Sequence, residues 1–335
     1  MVGLIKSRGG KAAVLAIACL LLIASLLMSI LIGYQSYSLA QLWETMTRFD
    51  GSNEHLLIKT VRMPAAIIGM AVGASLAIAG TIMQAVTRNP LASPSILGIN
   101  AGAVLAIMFV LLVTGLDLAM QQMVWVALAG AAFAALLVTV LGAVGSGGLQ
   151  PIKLTLAGAA FAAFASSITS GIMLIRNESL TEALFWLIGS LAGRKLELLT
   201  GVLPYLSLGL LLALALSRSL NIIEMGDEVA KGLGQWTLLV KLLSLVSVIL
   251  LAGVSVALAG PIAFIGLIAP HICRFLIGGN HIWLIPFSGI FGATLLVSAD
   301  LLSRLVLMPK QVPVGVTTAL LGVPFLIYLA RWRTT

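Results

Sequence analysis

The stretch Ser219-Leu-Asn-Ile-Ile-Glu-Met-Gly-Asp-Glu-Val-Ala-Lys-Gly-Leu-Gly-Gln235 places polar and charged side chains between two long apolar runs. Gly226 divides the stretch, and Asp227 is in a position to cap a second short helix. Gly232 and Gly234 are in positions to end that helix. The stretch therefore predicts two short amphipathic helices joined by a kink.

Each of these helices is too short to span a bilayer and too apolar for an ordinary loop. Such a pair suits a groove on a soluble partner, with Ile223, Val229 and Leu233 as apolar anchors. An interfacial helix pair resting on lipid is the alternative. The residues predicted to make up this contact segment are Leu220, Ile223, Met225, Gly226, Asp227, Val229, Leu233 and Gly234.

The whole chain has the composition of a polytopic membrane protein. Of its 335 residues 60% are apolar and 9% are charged, and the mean hydropathy is +1.15, whereas about 25% of a soluble globular protein is charged. The spans must be helices, because backbone amides cannot stay unpaired in lipid and nothing in the sequence alternates like a barrel strand. The net charge of +8 is scattered among segment ends, which does not indicate nucleic-acid binding. Cys19 and Cys273 lie in or beside apolar runs, so neither a disulfide nor a metal site is expected.

We predict about ten spans of about 20 residues each, and an even number puts both termini on one side. If that side is the cytoplasm, the inside segments hold eleven of the 19 basic residues. The positive-inside rule therefore favours cytoplasmic termini and a cytoplasmic 219–235 stretch. The predicted spans are 12–32, 64–84, 96–113, 122–143, 154–175, 199–216, 237–258, 261–277, 282–298 and 314–331.

Two further patterns concern packing. The apolar residues 183–193 are too few to cross a bilayer, so the region 176–195 predicts a short helix dipping into the outer face. An interfacial helix without a function fits equally well. Small residues four positions apart predict closely packed helices. These pairs are Gly69 and Gly73, Gly98 and Gly102, and Ala159 and Ala163.

The chain lacks the sequence patterns of an enzyme. It contains no His-Glu-x-x-His, Cys-x-x-Cys, Gly-x-Ser-x-Gly or Walker A sequence. Asp117, Glu197 and Asp300 fall at the ends of predicted spans, whereas an embedded enzyme or a proton-coupled carrier would place ionisable groups inside them. We therefore expect no catalytic residue, no metal and no cofactor bound by this chain.

Polar features at the ends of the spans have two interpretations each. The segment Arg88–Asn100 contains Pro90 and Pro94, so it is either a structural turn, in which Asn89 and Ser93 bond freed backbone groups, or a gate at the inner mouth. On the outer side, Arg62 and Arg304 are either snorkelling anchors or salt-bridge sites for an acidic docking partner.

Four separated motifs, in this order and over about residues 12–332, resemble the FecCD family of permease subunits of type II ABC importers. They are Asn89-Pro-Leu-Ala-Ser-Pro94 with Leu97-Gly98; Leu233-Gly234; Gly260-Pro-Ile-Ala-Phe-Ile-Gly-Leu-Ile-Ala-Pro-His-Ile-Cys-Arg274; and Asp300-x-x-x-Arg304 with Pro313-x-Gly-Val316 and Gly322-Val-Pro-Phe325.

The resemblance implies an all-α polytopic membrane protein with ten transmembrane helices in the BtuC-like type II ABC importer permease fold. Residues 1–335 would form a single transmembrane domain in a bacterial cytoplasmic membrane. The implied partners are membrane lipid, a second homologous or identical permease, two ATPase subunits that use the ATP, and an extracytoplasmic substrate-binding protein. The implied substrate is a ferric siderophore, with haem or cobalamin as alternatives; a secondary carrier of a lipophilic solute is the competing class.

The resemblance also implies roles for particular residues. Residues 220–234 match the cytoplasmic coupling helices that contact the ATPases. Arg62 and Arg304 match arginines that meet glutamates of the binding protein, and Asn89, Pro90 and Leu91 match a cytoplasmic gate. The family's best-studied members have small hydroxyl residues just before the position of Lys153, where this chain has Pro151 and Ile152, so no second gate is assigned.

Overall fold

The computed structural model describes residues 3–114, 119–145, 150–175, 188–308 and 310–332. A π-helical turn at Ile58–Arg62 joins the third helix to the fourth, and a 3₁₀ turn at Pro94–Leu97 precedes the fifth. The helices are α1 (Arg8–Leu31), α2 (Leu39–Thr47), α3 (Asn53–Leu57), α4 (Met63–Thr87), α5 (Ile99–Thr114), α6 (Met120–Ala143), α7 (Pro151–Ile175), α8 (Leu196–Ile223), α9 (Asp227–Gly232), α10 (Thr237–Ala259), α11 (Ile265–Ile277), α12 (His281–Leu305) and α13 (Val314–Trp332).

The number and position of the apolar helices confirm the sequence prediction. Within the described ranges, seven helical segments are long and apolar enough to cross a membrane, and α5, α11 and α13 are shorter apolar helices. Most helix ends lie within four residues of the predicted ends, but α8 and α12 each continue seven residues further. Both helices continue through polar residues, because a polar side chain ends an apolar run without ending a helix.

Two helices form the centre of the bundle. In α4 and α10, 78% and 72% of the most apolar stretch is buried inside the protein, whereas in α1 the fraction is 11%. α4 packs against α10, α11 and α12, and α1 packs along α12. A helix that is apolar on all sides and buried on only one is suited to a position between the bundle and lipid. α1 is therefore the helix most open to the bilayer among these three.

Glycines bring helix backbones into contact, as the small-residue spacing predicts for Gly73 and Gly102. A Cβ atom added to Gly73 would lie 2.4 Å from the carbonyl oxygen of Gly292, and one added to Gly102 would lie 2.6 Å from that of Gly130. Ala159 and Ala163 are exposed on α7 of this single chain, so for this pair close packing stays a prediction. The neighbouring Gly158 makes the close contact within the chain.

The two ends of the bundle carry different features. Ile5 donates its backbone N–H to Leu276 O (2.9 Å) at the end of α11, and His281 at the start of α12 donates its own to Asn221 Oδ1 (2.9 Å) near the end of α8. We call this end, which also carries α9, the α9 face. The opposite face carries the end of α1 and the start of α4.

Candidate functional site

Residues 219–235 form the end of α8, a turn and the short helix α9, rather than two separate short helices. α8 is continuous to Ile223, and the side chains of Leu220 and Ile223 are 0% exposed. The prediction that Ile223 anchors a partner is therefore wrong, and Leu220 is unavailable for the same reason. The apolar side of this helix end is already used by the chain's own bundle.

The exposed apolar residues of this segment lie beyond α8. Met225, Val229 and Leu233 are 64%, 45% and 62% exposed, and Trp236 is 78% exposed. We call these four side chains the α9 surface. Trp236 was not predicted as part of this surface, because it lies between the predicted contact stretch 219–235 and the predicted span 237–258.

Two glycines set the limits of α9. Gly226 has φ 115° and Gly234 has φ 77°, and both values fall where a side chain is strained. The predicted break at Gly226 is therefore confirmed. The predicted capping role of Asp227 is wrong, because Gly226 occupies the N-cap position and Asp227 is the first residue of the helix.

The Asp227 carboxylate joins three helices. Its Oδ2 lies 2.5 Å from Nζ of Lys241 in α10, and its Oδ1 lies 3.4 Å from Nη2 of Arg88 at the end of α4. The Lys241 side chain is 7% exposed, whereas those of Asp227 and Arg88 are 35% and 37% exposed. A buried ammonium group needs a counterion, and Asp227 supplies it. We call these three residues the Asp227 cluster; its signal in the sequence is a lysine inside an apolar run.

Residues 88–91, the gate segment, leave α4 in a sharp turn at the α9 face. Arg88 lies in the left-handed region with φ 51°. Asn89 Oδ1 accepts a hydrogen bond from the backbone N–H of Leu91 (3.0 Å), which confirms the predicted backbone bond of Asn89. Pro90 is partly buried, and Leu91 is exposed at 42%. Leu91 is therefore the apolar side chain that this turn presents at the α9 face.

After the gate segment the chain enters the bundle. Leu97 is fully buried, and the carbonyl oxygen of Ile96 lies so close to Gly158 in α7 that a Cβ atom there would be 1.7 Å away. The predicted cap by Ser93 is not formed; its hydroxyl lies 2.6 Å from that of Ser95. The turn is thus fixed by α7 on one side and by α4 on the other.

Arg62, one of the two predicted docking arginines, points into the protein. Its side chain is buried, Nη1 donates to Ile30 O (3.0 Å), and Nη2 donates to Gln35 O. The guanidinium also lies 4.6 Å from the centre of the Tyr37 ring. In this conformation Arg62 caps the carboxyl end of α1 and does not offer its charge to a partner, so its prediction as a docking contact is wrong here.

Arg304, the second predicted docking arginine, binds the same end of α1. Nη1 donates to Ser29 O (3.0 Å) and Nη2 to Ser29 Oγ (2.6 Å). Nη2 also forms an ion pair with Asp300 Oδ2 (2.9 Å). Asp300 is 1% exposed inside α12, so its predicted place at a span end is wrong. The structure thus brings Arg62 and Arg304 together at the end of α1, with their charges directed inward.

The predicted outer-face helix at 176–195 is described only in part, because residues 176–187 lie outside the described ranges. Residues 189–195 are not helical. The backbone N–H of Ser190 donates to Ala259 O (2.8 Å), and that of Gly315 donates to Gly189 O (3.0 Å). Leu191 is 1% exposed. This part of the segment therefore enters the bundle at its opposite face. Ile188 is helical, and the rest of the predicted helix stays a prediction, because it falls on residues outside the described ranges.

Arg194 is a buried cation at that face to which the sequence analysis gave no role. Its Nε donates to Ser190 O (3.3 Å), and its Nη1 contacts the sulfur of Met120. Burial lowers the pKa of Arg194 to about 10, because the charged guanidinium loses hydration. The Arg194 side chain therefore stabilises the turn of residues 190–194 by binding the backbone of the same segment.

Three cationic side chains of the membrane helices have partners within the chain. Arg274 Nη1 donates to Gln84 Oε1 (3.0 Å) inside the bundle. Lys241 and Arg304 have the carboxylate partners described above. Among the described residues, no group of three or more His, Cys, Asp or Glu side chains could hold a metal ion. The arrangement offers surfaces for protein contacts and charged links between helices.

A comparison with solved structures defines the class of protein. The chain superposes with a TM-score of 0.83 and 27% identity on an ABC transporter in an inward-facing conformation, provisionally assigned to the metal-chelate type, covering 96% of this chain and 99% of that one. Together with the ten apolar helices found among the described residues, this likeness defines the membrane permease of an ABC transporter.

The FecCD transport family model matches residues 21–332, and the chain belongs to this family. It is accordingly a multi-pass protein of a bacterial cytoplasmic membrane. It is one component of an ABC transporter, whose other components include a second permease and an ATPase.

Curated relatives match over nearly the whole chain. The "Probable siderophore transport system permease protein YfiZ" of Bacillus subtilis (strain 168) is 46% identical over 97% of this chain and 98% of its own length. The Fe(3+)-citrate import system permease protein YfmD of the same organism is 43% identical over 94% and 93%. The ferric enterobactin transport system permease protein FepD of Escherichia coli (strain K12) is 38% identical over 94% of each.

Proposed function

We propose that this chain is the permease subunit of an ATP-driven importer of ferric siderophores and forms half of the translocation path. The observation that carries the proposal is the full-length likeness to permeases named for siderophore, iron-citrate and enterobactin transport. Haem or cobalamin import is the alternative within the same family. The chain itself binds no cofactor and catalyses no reaction in this proposal; the ATP is used by its ATPase partners.

The interior of the protein supports a path that does not select its cargo. Lys241 and Arg274, which are buried, and Arg304, whose side chain is 14% exposed, are bound by acceptors of the chain itself. Cations that are already bound within the chain do not hold a chelate firmly, and a path must bind weakly enough to release its cargo. Selectivity then belongs to an extracytoplasmic substrate-binding protein.

The α9 surface supports a contact with an ATPase subunit. Four apolar side chains stand exposed on and beside a helix of six residues, at one end of a membrane bundle. A short helix with an apolar side is suited to a groove on a soluble partner. Two copies of the permease, identical or homologous, would present two such surfaces to two ATPases, with each chain forming one transmembrane domain over residues 1–335.

The proposed contact between the α9 surface and the ATPase also assigns the orientation of the chain in the membrane and the roles of its two faces. The α9 face, with both termini and the gate residues Asn89, Pro90 and Leu91, is the cytoplasmic face in this proposal. The opposite face meets the binding protein. There Arg62 and Arg304 act indirectly, because they hold the end of α1 in place and leave the contact itself to exposed residues.

Uptake of radiolabelled iron tests the proposal. The chain is expressed with its permease, ATPase and binding-protein partners in cells that lack their own siderophore permeases, and the matched control carries an ATPase with an inactive nucleotide site. We expect uptake of a ferric siderophore only in the cells that carry the active ATPase. Uptake of labelled haem or cobalamin, without uptake of the ferric siderophore, would support the alternative. Uptake with the inactive ATPase would support a secondary carrier.

A further inference from the structure

Asp227 makes two ion pairs, one with Lys241 and one with Arg88, which we call the two arms of the Asp227 cluster. The two ion pairs differ in length and in burial. The arm to Lys241 is 2.5 Å long and ends on a side chain that is 7% exposed, within the central helix α10. The arm to Arg88 is 3.4 Å long and ends on a side chain that is 37% exposed. One carboxylate thus holds a tight buried contact and a looser contact near the surface.

Burial makes the two arms unequal in strength. Separating Asp227 from Lys241 would leave an ammonium group buried without a counterion, which is strongly unfavourable. Separating Asp227 from Arg88 costs little, because both groups can be solvated and their attraction is screened. When the helices around the cluster move, the arm to Arg88 is therefore the one that opens.

The weaker arm ends at the gate segment. Arg88 ends α4 and is followed by Asn89, whose backbone N–H donates to Gln84 O (3.2 Å). Gly226 faces the same guanidinium, since a Cβ atom there would lie 3.5 Å from Arg88 Nη1. The turn before α9 and the turn after α4 therefore meet at the Arg88 side chain.

We propose that Asp227 is an ionic latch between α9 and the gate segment: it stays bound to Lys241 and releases Arg88 when α9 is displaced. The proposal rests on the proposed function, in which an ATPase displaces α9. It assigns to Arg88 a positioning role, because Arg88 acts on the path through the backbone of the gate segment. Loss of the latch would leave ATP hydrolysis intact and weaken its connection to transport.

The first test measures transport per ATP hydrolysed by the whole transporter in proteoliposomes. We expect Arg88→Gln to lower this ratio several-fold, with basal ATP hydrolysis and ATPase binding unchanged, and Arg88→Lys to restore most of it. Arg218→Gln, which removes an exposed cation from the end of α8, is the matched control and should keep the wild-type ratio. A wild-type ratio in Arg88→Gln would overturn the latch.

The second test needs no activity. Hydrogen exchange of the nucleotide-free transporter reports on the backbone amides of Asn89, Leu91 and Ala92, which are hydrogen-bonded in the gate segment and its turn. We expect faster exchange there in Arg88→Gln and no change in Arg218→Gln. Equal exchange in the wild type and Arg88→Gln would overturn the latch, whereas a wild type without ATP-dependent uptake would overturn the proposed function.

Discussion

Arg304 holds the carboxyl end of α1 through Ser29, a residue 275 positions earlier in the chain. The guanidinium binds both the carbonyl and the hydroxyl of Ser29 while it neutralises the buried Asp300. One side chain thereby joins α1 to α12 and satisfies a charge inside α12. This relationship explains an arginine in a membrane helix without any partner protein.

We predict that Arg304→Gln destabilises the permease, because it leaves Asp300 buried without its cation. Breaking a buried pair from one side costs about 3–5 kcal/mol, and we expect a lower melting temperature of the purified protein in detergent. The double variant Arg304→Gln with Asp300→Asn should recover part of the loss. Arg48→Gln, at an exposed arginine, is the control. Equal melting temperatures of the wild type and Arg304→Gln would contradict this role.

Gly73→Ala should also destabilise the protein, because the added methyl group meets the backbone of Gly292 at 2.4 Å. Overpacking of this kind costs about 1–3 kcal/mol. Gly171→Ala in α7 is the matched control, since nothing lies within 4 Å of its Cβ position. That control should be neutral or slightly stabilising, as glycine weakens a helix interior. Thermal unfolding followed by the fluorescence of a bound thiol dye compares the two.

Leu233→Asp should leave the fold intact and weaken binding of the ATPase. Leu233 is exposed, so the carboxylate stays solvated in the free permease, but it would be buried in the proposed contact. Copurification of the ATPase with a tagged permease measures the effect. Ile223→Asp provides the contrast, since its side chain is buried in the bundle and the variant should fail to accumulate. Undiminished copurification with Leu233→Asp would remove the α9 surface from the contact.

The orientation of the chain can be read with a membrane-impermeant maleimide. In a background without Cys19 and Cys273, a cysteine at Met225 should react in inside-out vesicles and stay unlabelled in right-side-out vesicles. A cysteine at Leu220 should stay unlabelled in both, because that position is buried. Labelling of Met225→Cys from the outside would place the α9 face, and the gate segment with it, outside the cell.

The long helices could be predicted from the sequence because an apolar run of about 20 residues has one explanation, a membrane span. The direction of a side chain at a helix end could not. Leu220 and Ile223 have the same spacing whether they face a partner or their own bundle, and only the continuation of α8 decides between these positions. Val229 and Leu233 escaped this ambiguity, because Gly226 separates them from the bundle helix.

The inward position of Arg62 and Arg304 depends on contacts that no local pattern shows. Their acceptors, Ile30 O and Ser29 O, are backbone atoms at the end of α1, and any residue type supplies a carbonyl. The Asp227 cluster could be predicted in part. Lys241 inside an apolar run indicates that a buried counterion exists, but it does not show which residue that counterion is. Identifying Asp227 required the fold of α9 against α10.

The attachment of α1 has a mechanical consequence. Its preceding residues pair with the end of α11 through Ile5, and its last turn is held by Arg62 and Arg304, so the helix is fastened at both ends. With 24 residues it is roughly 36 Å long, against about 30 Å of hydrocarbon. Tilting is one way in which such a helix adapts to a thinner bilayer. A change in the tilt of α1 would therefore be passed on to the start of α4 and to α12 through the two arginines.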